Sequence, residues 1–466
     1  MTTASAFRDA GVSRVLEVGD DGFADAVAGF DLGVACAPDA VVVAHAPADV
    51  ATSVAVAVDR GEDLTVLGAG HGRLHALQGG SAITLRHLDA VEVDVSGRSV
   101  RIGAGCTWVP VLAATTAHGL APACGSAPGV GVVGYLLGGG LGPLASSFGY
   151  SSDHVRSFDV VTPADGAVTV SADRHPDLFW AMRGGKGGFG VVTSVELDLL
   201  DVSRVYGGGL YFAAEDAAAV LGAYVDWAPA LPGSATTSIA LLRLPPSDAL
   251  PDPIRGRRVV HLRFASLNAA AVAEAQLAGM RAVAGPVLDT VGVLPYGELG
   301  TIHGDPTVPM PVLNGTASLA TLDGDTVAAL LAAAGPDTDH PFASVEIRTL
   351  GPATRQAPVA DAVGGRSAPH LLNIYAAPDP TLADADRIGM VRTALAALAP
   401  WQAPVHLVNF LGRANGADAV VQSWTPEQND RLDSIRAAHD PDGRFPYGRH
   451  GAPTTDDDLP EGGGGG

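Results

Sequence analysis

Residues 102–152 constrain this chain more than any other part of its sequence. None of these 51 residues is Asp, Glu, Lys or Arg, and 12 of them are Gly. A membrane-spanning helix needs about 20 mainly apolar residues, but residues 131–149 contain seven glycines and Pro143, which disfavour a helix. We expect loops around short apolar pieces after Gly119. Because a backbone without side chains can lie close to a flat or anionic surface, the stretch predicts contact with a large ligand.

The charge balance excludes several classes of partner. The chain has 28 basic and 50 acidic residues, a formal net charge of -22, and Lys186 is its only lysine. Phosphate-rich surfaces would repel such a chain, so we expect neither a nucleic-acid partner nor a membrane partner. An apolar content of 47% argues against disorder, and three cysteines argue against a disulfide scaffold. The N-terminus has no basic segment followed by an apolar run, which predicts a cytoplasmic enzyme.

The length of 466 residues suggests two or three domains. Residues 1–202 alternate short helical and strand patterns, whereas residues 203–400 alternate strand patterns with Ala-rich helices. The second pattern is typical of a sheet with helices on one face, an α+β arrangement. Residues 401–460 hold a predicted strand over 405–411 and a predicted helix over 426–438, which begins at a Thr425 cap. Residues 461–466 form a glycine run that we expect to be disordered or an expression remnant.

The segment LGAGHG, residues 67–72, follows a short apolar strand pattern. A tight turn is the simplest interpretation. A dinucleotide-binding GxGxxG motif fails, because Arg73 stands where the third glycine belongs and no helix pattern follows. A zinc site built on His71 and His75 lacks a third ligand nearby, and no metal is expected. The remaining interpretation is an anion-binding nest of backbone N–H groups that presents His71 to a ligand.

Further blocks follow this segment in a fixed order. They are IGAGCTW (102–108), HGLAPACGSAPGVGVVGYLLGGGLG (118–142), FGYSSDHV (148–155), VVTPADG (160–166), DLFWAMRGGKGGFGVVTSVEL (177–197), VNFLG (408–412) and DPDGRF (440–445). Together they resemble the vanillyl-alcohol oxidase family with its PCMH-type FAD-binding domain, and within it the berberine-bridge-enzyme-like oxidoreductases. The resemblance implies an FAD-binding domain over residues 1–202, with its core at about 35–202. It also implies a substrate-binding domain with an antiparallel sheet and helices over 203–400, and a return to the FAD domain over 401–460.

The resemblance also implies how FAD is held. His71 occupies the position of the family's 8α-histidyl link to the flavin. Many relatives form a second bond through a cysteine, but that position is Ala127 here and Cys124 lies three residues too early. We therefore expect a single covalent link, through His71. The other implied cofactor-binding residues are Gly68, Ala69, Gly70, Gly72, Gly125, Ser126, Gly129, Gly131, Gly134, Gly138, Gly140, Gly190, Val191 and Asn409.

A flavin oxidase takes a hydride from its substrate while a base takes a proton, and O2 then reoxidises the flavin. Relatives often carry a tyrosine two residues before the returning Asn409, and Leu407 stands there in this chain. A tyrosine base would need a nearby cation, because the ordinary pKa of a phenol is about 10. Arg348, Arg449 and His450 could supply one. The candidate bases are Tyr447, Tyr375, Glu346 and His406.

Two functions remain open from the sequence. The first is oxidation of a small alcohol, amine or hemiacetal. The low lysine content with abundant Ala, Arg and Gly is typical of a GC-rich bacterial genome, and there such an enzyme would serve secondary metabolism. The second is a protein that keeps the flavin fold to bind or cyclise a natural product without net redox turnover. The first is the function that we predict, and the missing tyrosine and the missing cysteine link are the two features that point to the second.

Overall fold

The computed structural model describes residues 3–416 and 419–445. Its first 200 residues combine short helices with short strands. The helices are α1 (Thr3–Asp9), α2 (Phe23–Val27), α3 (Pro47–Arg60), α4 (Trp108–Thr116), α5 (Val132–Leu137), α6 (Ala145–Phe148) and α7 (Pro176–Met182). The strands are β1 (Val15–Glu17), β2 (Cys36–Ala37), β3 (Ala40–Val43), β4 (Leu64–Leu67), β5 (Leu77–Gln78), β6 (Ser81–Thr84), β7 (Val91–Asp94), β8 (Ser99–Gly103), β9 (Val155–Thr162), β10 (Gly166–Ser171) and β11 (Val191–Asp198).

These strands form two main sheets. One has the order β1-β3-β6-β4, in which β3, β6 and β4 are parallel and β1 is antiparallel. The other is antiparallel with the order β10-β9-β11-β8-β7. Strands β2 and β5 pair separately. Strands β7 and β8 form one hairpin and β9 and β10 another, and the turn between β7 and β8 places Arg98 at a left-handed φ of 47°.

The remaining elements build a larger antiparallel sheet and its helices. The strands are β12 (Arg204–Ala213), β13 (Ala235–Arg243), β14 (Arg258–Ser266), β15 (Leu288–Asp289), β16 (Gly292–Pro295), β17 (Asn314–Leu319), β18 (Phe342–Thr349) and β19 (His370–Ala376). The helices are α8 (Ala217–Trp227), α9 (Ala270–Val283), α10 (Gly324–Ala334), α11 (Asp384–Ala397) and α12 (Pro426–His439). The sheet order is β15-β12-β14-β13-β18-β19-β17, with β16 also paired to β12.

The two faces of this large sheet differ in chemistry. Side chains alternate between the faces of a strand, and one alternating set packs with α8 to α11 in a hydrophobic core, including Ile239, Leu262, Ile347 and Leu372. The opposite set is polar and includes Ser238, Arg263, Glu346, Arg348, Asn373 and Tyr375. Register places Ser238 across from both Arg263 and Arg348. We call this second set the polar face of the large sheet.

A second hydrophobic core joins the two smaller sheets. It contains buried side chains of β3, β6, β8, β9 and β11, and it takes in Leu432 and Ile435 of α12 from the far end of the chain. Trp180 and Phe189 also lie in this core. The C-terminal segment therefore returns to the first half of the molecule and packs against it.

Helices with clear local signals lie where the sequence predicts them. Helix α3 ends at Gly61, which has a φ of 65°, and Thr425 caps α12 by accepting a hydrogen bond from the backbone N–H of Gln428. The loop expectation after Gly119 is wrong at two places, because α5 and α6 form inside the glycine-rich stretch. Val132 and Leu136 of α5 are fully buried, so tertiary packing stabilises a helix that propensity disfavours.

The predicted strand over residues 405–411 is also wrong. The structure has only a 3-10 turn there, Val408–Phe410. The carbonyl of Phe410 accepts a hydrogen bond from the side-chain amide of Asn314 at 2.9 Å, and the Phe410 N–H donates to the carbonyl of Leu407. The backbone of Phe410 thus bonds to a side chain and within its own turn, and it does not pair with a neighbouring strand. Among the described residues, no helix is long and apolar enough to cross a membrane.

Candidate active site

His71 lies in the loop after β4, where two glycine-rich segments meet. The Phe30 ring stacks on its imidazole, with ring centroids 4.0 Å apart and an interplanar angle of 11°. A Cβ built on Gly129 would lie 3.9 Å from Cε1 of His71, and one built on Gly131 would lie 3.3 Å from Cβ of Ala69. The loop at residues 67–72 and the loop at residues 125–131 are therefore neighbours in the fold.

The imidazole of His71 is neutral and has one unused ring nitrogen. Its Nδ1 atom is buried and has no hydrogen-bond partner among the described residues. Burial lowers the pKa of His71 to about 4, although the negative charge of Asp305 acts to raise it. A neutral imidazole with a free nitrogen can act as a nucleophile. This orphaned atom fits a covalent link to a flavin, which would satisfy it.

The glycines of the site divide into two groups. A Cβ built on Gly68, Gly72 or Gly134 would meet no protein atom within 4 Å. These three positions leave room beside the backbone and fit a bound cofactor. Gly70 is required for another reason, because it has a φ of 76° and its Cβ would lie 2.8 Å from Cα of Gly29.

The second group of glycines makes room for the protein itself. A Cβ on Gly138 would lie 2.0 Å from Oδ1 of Asn409, and one on Gly140 would lie 2.4 Å from the Tyr135 ring. Gly125 also faces Tyr135, at 3.0 Å. We expected these glycines to let the backbone approach the cofactor. In the structure, the space that a side chain would take at these positions is filled by Asn409 and Tyr135 instead.

The segment 188–191 is packed in the same way. A Cβ on Gly190 would lie 2.4 Å from the carbonyl oxygen of Val161, and Gly190 has a φ of 145°. Val191 is fully buried and pairs with Val161 in the sheet. The structure therefore explains both residues by packing between β9 and β11, and their contact with the cofactor stays a prediction.

Asp305 joins the His71 loop to the large sheet. Its Oδ2 atom accepts a hydrogen bond of 2.6 Å from the Ser126 hydroxyl. Its charge also acts on the pKa of His71, His303 and Arg348. Within residues 3–416 and 419–445, Asp305 takes part in no ion pair. Sequence reasoning missed this residue, because its neighbours HGDP carry no signal beyond that of a turn.

Glu346 lies at the centre of a buried ion-pair network on the polar face. Its Oε1 atom is 2.5 Å from Nη1 of Arg263, and its Oε2 atom accepts a hydrogen bond of 2.9 Å from Nε of Arg348. The Ser238 hydroxyl donates to Oε1 at 2.9 Å. Burial would raise the pKa of Glu346, but Arg348 and Arg263 hold it well below its ordinary value. The carboxylate is therefore ionised and fully engaged.

His303 completes this network without carrying a charge. Its Nε2 atom is 3.7 Å from Oε1 of Glu346. Burial, together with the positive charges of Arg263 and Arg348, lowers the pKa of His303 to about 3. The polar face thus presents two arginines, one engaged carboxylate and a neutral imidazole.

The other candidate bases lie apart from this network or outside the described residues. The Tyr375 hydroxyl donates to the carbonyl of Pro311 at 3.0 Å, and burial raises the pKa of Tyr375 to about 12. Burial lowers the pKa of His406, whose Nδ1 atom has no partner among the described residues. Tyr447, Arg449 and His450 lie outside the described residues.

Asn409 holds the returning segment against α5. Its Nδ2 atom donates to the carbonyl of Tyr135 at 2.8 Å, and its Oδ1 atom accepts a hydrogen bond from the ammonium of Lys186. The same ammonium donates to the carbonyl of Gly134 at 3.2 Å. The sequence singled out Lys186 as the only lysine, but nothing in the sequence indicated that it reaches Asn409.

Asp153 and Cys124 have structural roles beside the site. Asp153 accepts a hydrogen bond from the Tyr150 N–H at 2.8 Å and so caps the following turn. Cys124 is buried, and burial raises the pKa of its thiol to about 11. Such a thiol is inert rather than nucleophilic at neutral pH.

Comparisons with known proteins identify the first half of the chain. Residues 38–171 match a family described as FAD binding domain. The chain is 29% identical over 267 residues to (R)-6-hydroxynicotine oxidase of Paenarthrobacter nicotinovorans, covering 55% of each protein. It is 37% identical over 174 residues to the FAD-dependent monooxygenase FUP4 of Fusarium proliferatum, covering 37% of this chain and 34% of that protein. The matched segments thus span about half and a third of these relatives.

Solved structures extend the likeness to the whole chain. The 6-hydroxy-D-nicotine oxidase of Arthrobacter nicotinovorans superposes with a TM-score of 0.81 at 23% identity, covering 94% of this chain and 97% of that one. The berberine-bridge-enzyme-like protein 1 of Physcomitrella patens gives 0.83 at 17% identity, covering 97% and 99%. Glucooligosaccharide oxidase of Acremonium strictum, whose title names a 6-S-cysteinyl, 8α-N1-histidyl FAD, gives 0.80 at 19% identity, covering 96% and 98%.

At these identities the superpositions show a shared fold, and the sequence match places the FAD-binding domain within it. This chain therefore carries an FAD-binding domain over residues 38–171 and has the fold of the PCMH-type, berberine-bridge-enzyme-like FAD-linked oxidoreductases, as its sequence blocks predict.

Proposed function

We propose that this protein is an FAD-dependent oxidase that takes a hydride from a small organic substrate, with FAD attached covalently through His71. The single observation that carries the proposal is the buried Nδ1 atom of His71, which has no partner among the described residues and lies where the two glycine-rich loops meet. Burying a polar atom without a hydrogen bond is unfavourable, so a group that satisfies it is expected.

The chain's own residues would hold the cofactor in defined ways. Gly68, Gly72 and Gly134 would let the backbone approach it, and Phe30 would keep the His71 ring in one orientation. When bound, FAD supplies the hydride acceptor and passes the electrons on to O2. Ala127 offers no second attachment, so the link through His71 would be the only one.

The division of the chain follows from the same proposal. Residues 1–202, with a return over 401–460, would form the FAD-binding domain, and residues 203–400 would form the substrate-binding domain. The two hydrophobic cores support this division, since one contains both smaller sheets with α12 and the other underlies the large sheet. The polar face of the large sheet would then meet the substrate.

We propose Asp305 as the proton acceptor in place of the candidates drawn from the sequence. A general base needs a lone pair that is free to take a proton. Both oxygens of Glu346 are engaged by arginines, and the phenol of Tyr375 keeps its own proton. Within the described part of the chain, the Ser126 hydroxyl is the only hydrogen-bond donor to the Asp305 carboxylate, which lies near His71.

The substrate class follows from the chemistry of the polar face. Arg263 and Arg348 have guanidinium N–H groups beyond those that bind Glu346, and neutral His303 offers one more polar group. A small molecule with an alcohol, amine or hemiacetal group would be oriented by such donors. The relatives named for nicotine and for oligosaccharides suggest an amine or a hemiacetal as the first classes to test.

The test starts with acid precipitation of the purified protein. We expect a yellow pellet from the wild type, because a covalent link survives denaturation. His71→Ala should give a colourless pellet and free FAD in the supernatant, and Cys124→Ala is the matched control that should stay yellow. A colourless wild-type pellet would exclude the covalent link. A yellow pellet from His71→Ala would show that the flavin is attached to another residue. Anaerobic bleaching by candidate substrates then tests oxidation.

One observation keeps a second function in view. Leu407 replaces the tyrosine that relatives often use, and arginines engage Glu346. The oxidation therefore depends on Asp305, the one carboxylate near His71 within the described residues that takes part in no ion pair. A protein that binds or cyclises a natural product without net redox turnover would need no base to take a proton during hydride transfer. Turnover of a substrate that never bleaches the flavin, with no consumption of O2, would support this second function.

A further inference from the structure

Lys186 is held in an unusual backbone conformation inside a run of glycines. It has a φ of 66°, and Gly184 and Gly188 beside it also have positive φ values, 112° and 92°. A residue with a Cβ in this left-handed region costs roughly 1–2 kcal/mol. A glycine would fit there without strain, so the contacts of the Lys186 side chain are the feature to explain.

The ammonium of Lys186 is partly buried and has no negative partner among the residues that the structure describes. Its two hydrogen-bond acceptors are the neutral carbonyl of Gly134 and the neutral Oδ1 atom of Asn409. No Asp or Glu of residues 3–416 and 419–445 lies within 4.0 Å of it, whereas buried Arg263 and Arg366 each contact a carboxylate. Desolvation lowers the pKa of Lys186 to about 8. A cation in this setting is costly unless an anion meets it.

The position of Lys186 indicates which anion. Gly134 is one of the glycines whose Cβ would meet no protein atom, so Lys186 borders the space that fits the cofactor. Its other partner, Asn409, precedes Phe410, whose ring lies under the Arg348 guanidinium at 5.1 Å and whose carbonyl contacts Asn314. Lys186 therefore lies at the end of the cofactor space that adjoins the polar face, where the ring that reacts with substrate belongs.

We propose that Lys186 supplies the positive charge that stabilises the anionic, two-electron-reduced flavin ring. The inference rests on the proposed FAD function. A hydride brings two electrons and one proton from the substrate carbon, while the substrate's other proton goes to the base, so the ring gains one negative charge. Lys186, with one N–H still free, pairs with that charge and makes the bound flavin easier to reduce.

Four variants test this inference on protein already shown to carry flavin. Lys186→Met removes the charge and keeps a long side chain. Lys186→Gly removes the charge and also the backbone strain of a side chain at a positive φ. Lys186→Arg keeps the charge. Arg98→Gly is the matched control, because it removes an exposed arginine that also has a positive φ and that pairs with exposed Asp201.

Two readouts do not depend on turnover. The first is the midpoint potential of the bound flavin, which should become more negative in Lys186→Met and Lys186→Gly. The second is the affinity for sulfite, whose lone pair forms an N–S bond to the oxidised ring and leaves a negative charge on it. We expect the sulfite dissociation constant to rise at least about tenfold in both variants, equivalent to ~1.4 kcal/mol. Lys186→Arg and Arg98→Gly should stay near the wild type.

The outcomes separate the inference from the function on which it rests. Wild-type protein without flavin would contradict the proposed function itself. Flavin that is bound with unchanged potential and sulfite affinity in both neutral variants would overturn the role of Lys186 alone. A loss of FAD retention with unchanged potential, measured in a His71→Ala background, would place Lys186 at the pyrophosphate and overturn the inference as well.

Discussion

Individual side chains of this site are defined by what remains unsatisfied around them. His71 has a buried ring nitrogen without a partner, and Lys186 has a desolvated ammonium without a carboxylate among the described residues. Glu346 is the opposite case, with every strong partner in place. We propose that the residues with unmet bonding capacity contact the ligand, and that the fully engaged carboxylate of Glu346 stabilises the fold.

The contrast between two carboxylates gives the first prediction. Asp305→Asn should lower kcat by about 10²- to 10⁴-fold, the usual contribution of a general base, and should leave flavin attachment and the free energy of unfolding nearly unchanged. Glu346→Gln should instead lower the free energy of unfolding by about 3–5 kcal/mol, because it leaves two buried arginines without their charge partner. Urea unfolding and steady-state kinetics on both variants check this. Equal loss of kcat with normal stability in Glu346→Gln would reverse the assignment.

Buried histidines give a prediction about pH. Burial lowers the pKa of His370 from its ordinary value of 6.5 to about 4, and that of His303 to about 3. Below pH 6.5 the unfolded chain therefore binds protons that the folded protein does not, so the free energy of unfolding should decrease as pH falls from 6.5 toward 4. The urea midpoint should fall between pH 7 and pH 5, and less so in His370→Asn. A midpoint that rises over this interval would refute the assignment.

At the scale of single elements, α5 shows how packing overrides propensity. Its sequence VVGYLL contains a glycine and no charged residue, yet the segment is helical because Val132 and Leu136 are fully buried. The backbone carbonyls of Gly134 and Tyr135, at the middle of this helix, accept hydrogen bonds from Lys186 and Asn409. This helix thus connects the glycine-rich stretch to the returning segment.

Two glycines at this helix give a matched pair of substitutions. Gly138→Ala would place a Cβ 2.0 Å from Oδ1 of Asn409, so we expect a loss of about 1–3 kcal/mol in the free energy of unfolding, as for other overpacked sites. Gly134→Ala meets no protein atom and should stabilise the flavin-free protein by about 0.5–1 kcal/mol. If the cofactor lies beside Gly134, the same change should lower flavin content. Unfolding curves and the ratio of absorbance at 450 and 280 nm check both.

The strands of the large sheet illustrate a limit of sequence patterns. Five of them, β12, β13, β14, β18 and β19, could be predicted from apolar runs, and so could the covering helices, because both patterns are local. No apolar run indicated β15, β16 or β17. The pairing order could not, since β13 pairs with β18 about a hundred residues later. Only that pairing brings Ser238 beside Arg348 and so creates the polar face.

Across the whole molecule, the net charge of -22 acts against compactness. Like charges repel in the folded state more than in the expanded one, and salt screens this repulsion within about 10 Å at 0.1 M. We expect Tm to rise between 10 mM and 500 mM NaCl. Differential scanning fluorimetry checks this, with sucrose at matched osmolality as the control. A Tm that falls with salt would mean that surface ion pairs outweigh the net repulsion.

The sequence alone determined what depends on local chemistry. The loop with His71 and helices such as α3 and α12 follow from glycines, caps and periodicity within a few residues of one another. Only the tertiary structure decided which side chains meet at the site. Asp305 is 179 residues from Ser126, and Lys186 is 223 residues from Asn409. Such contacts depend on how distant elements pack, and no short-range pattern records that packing.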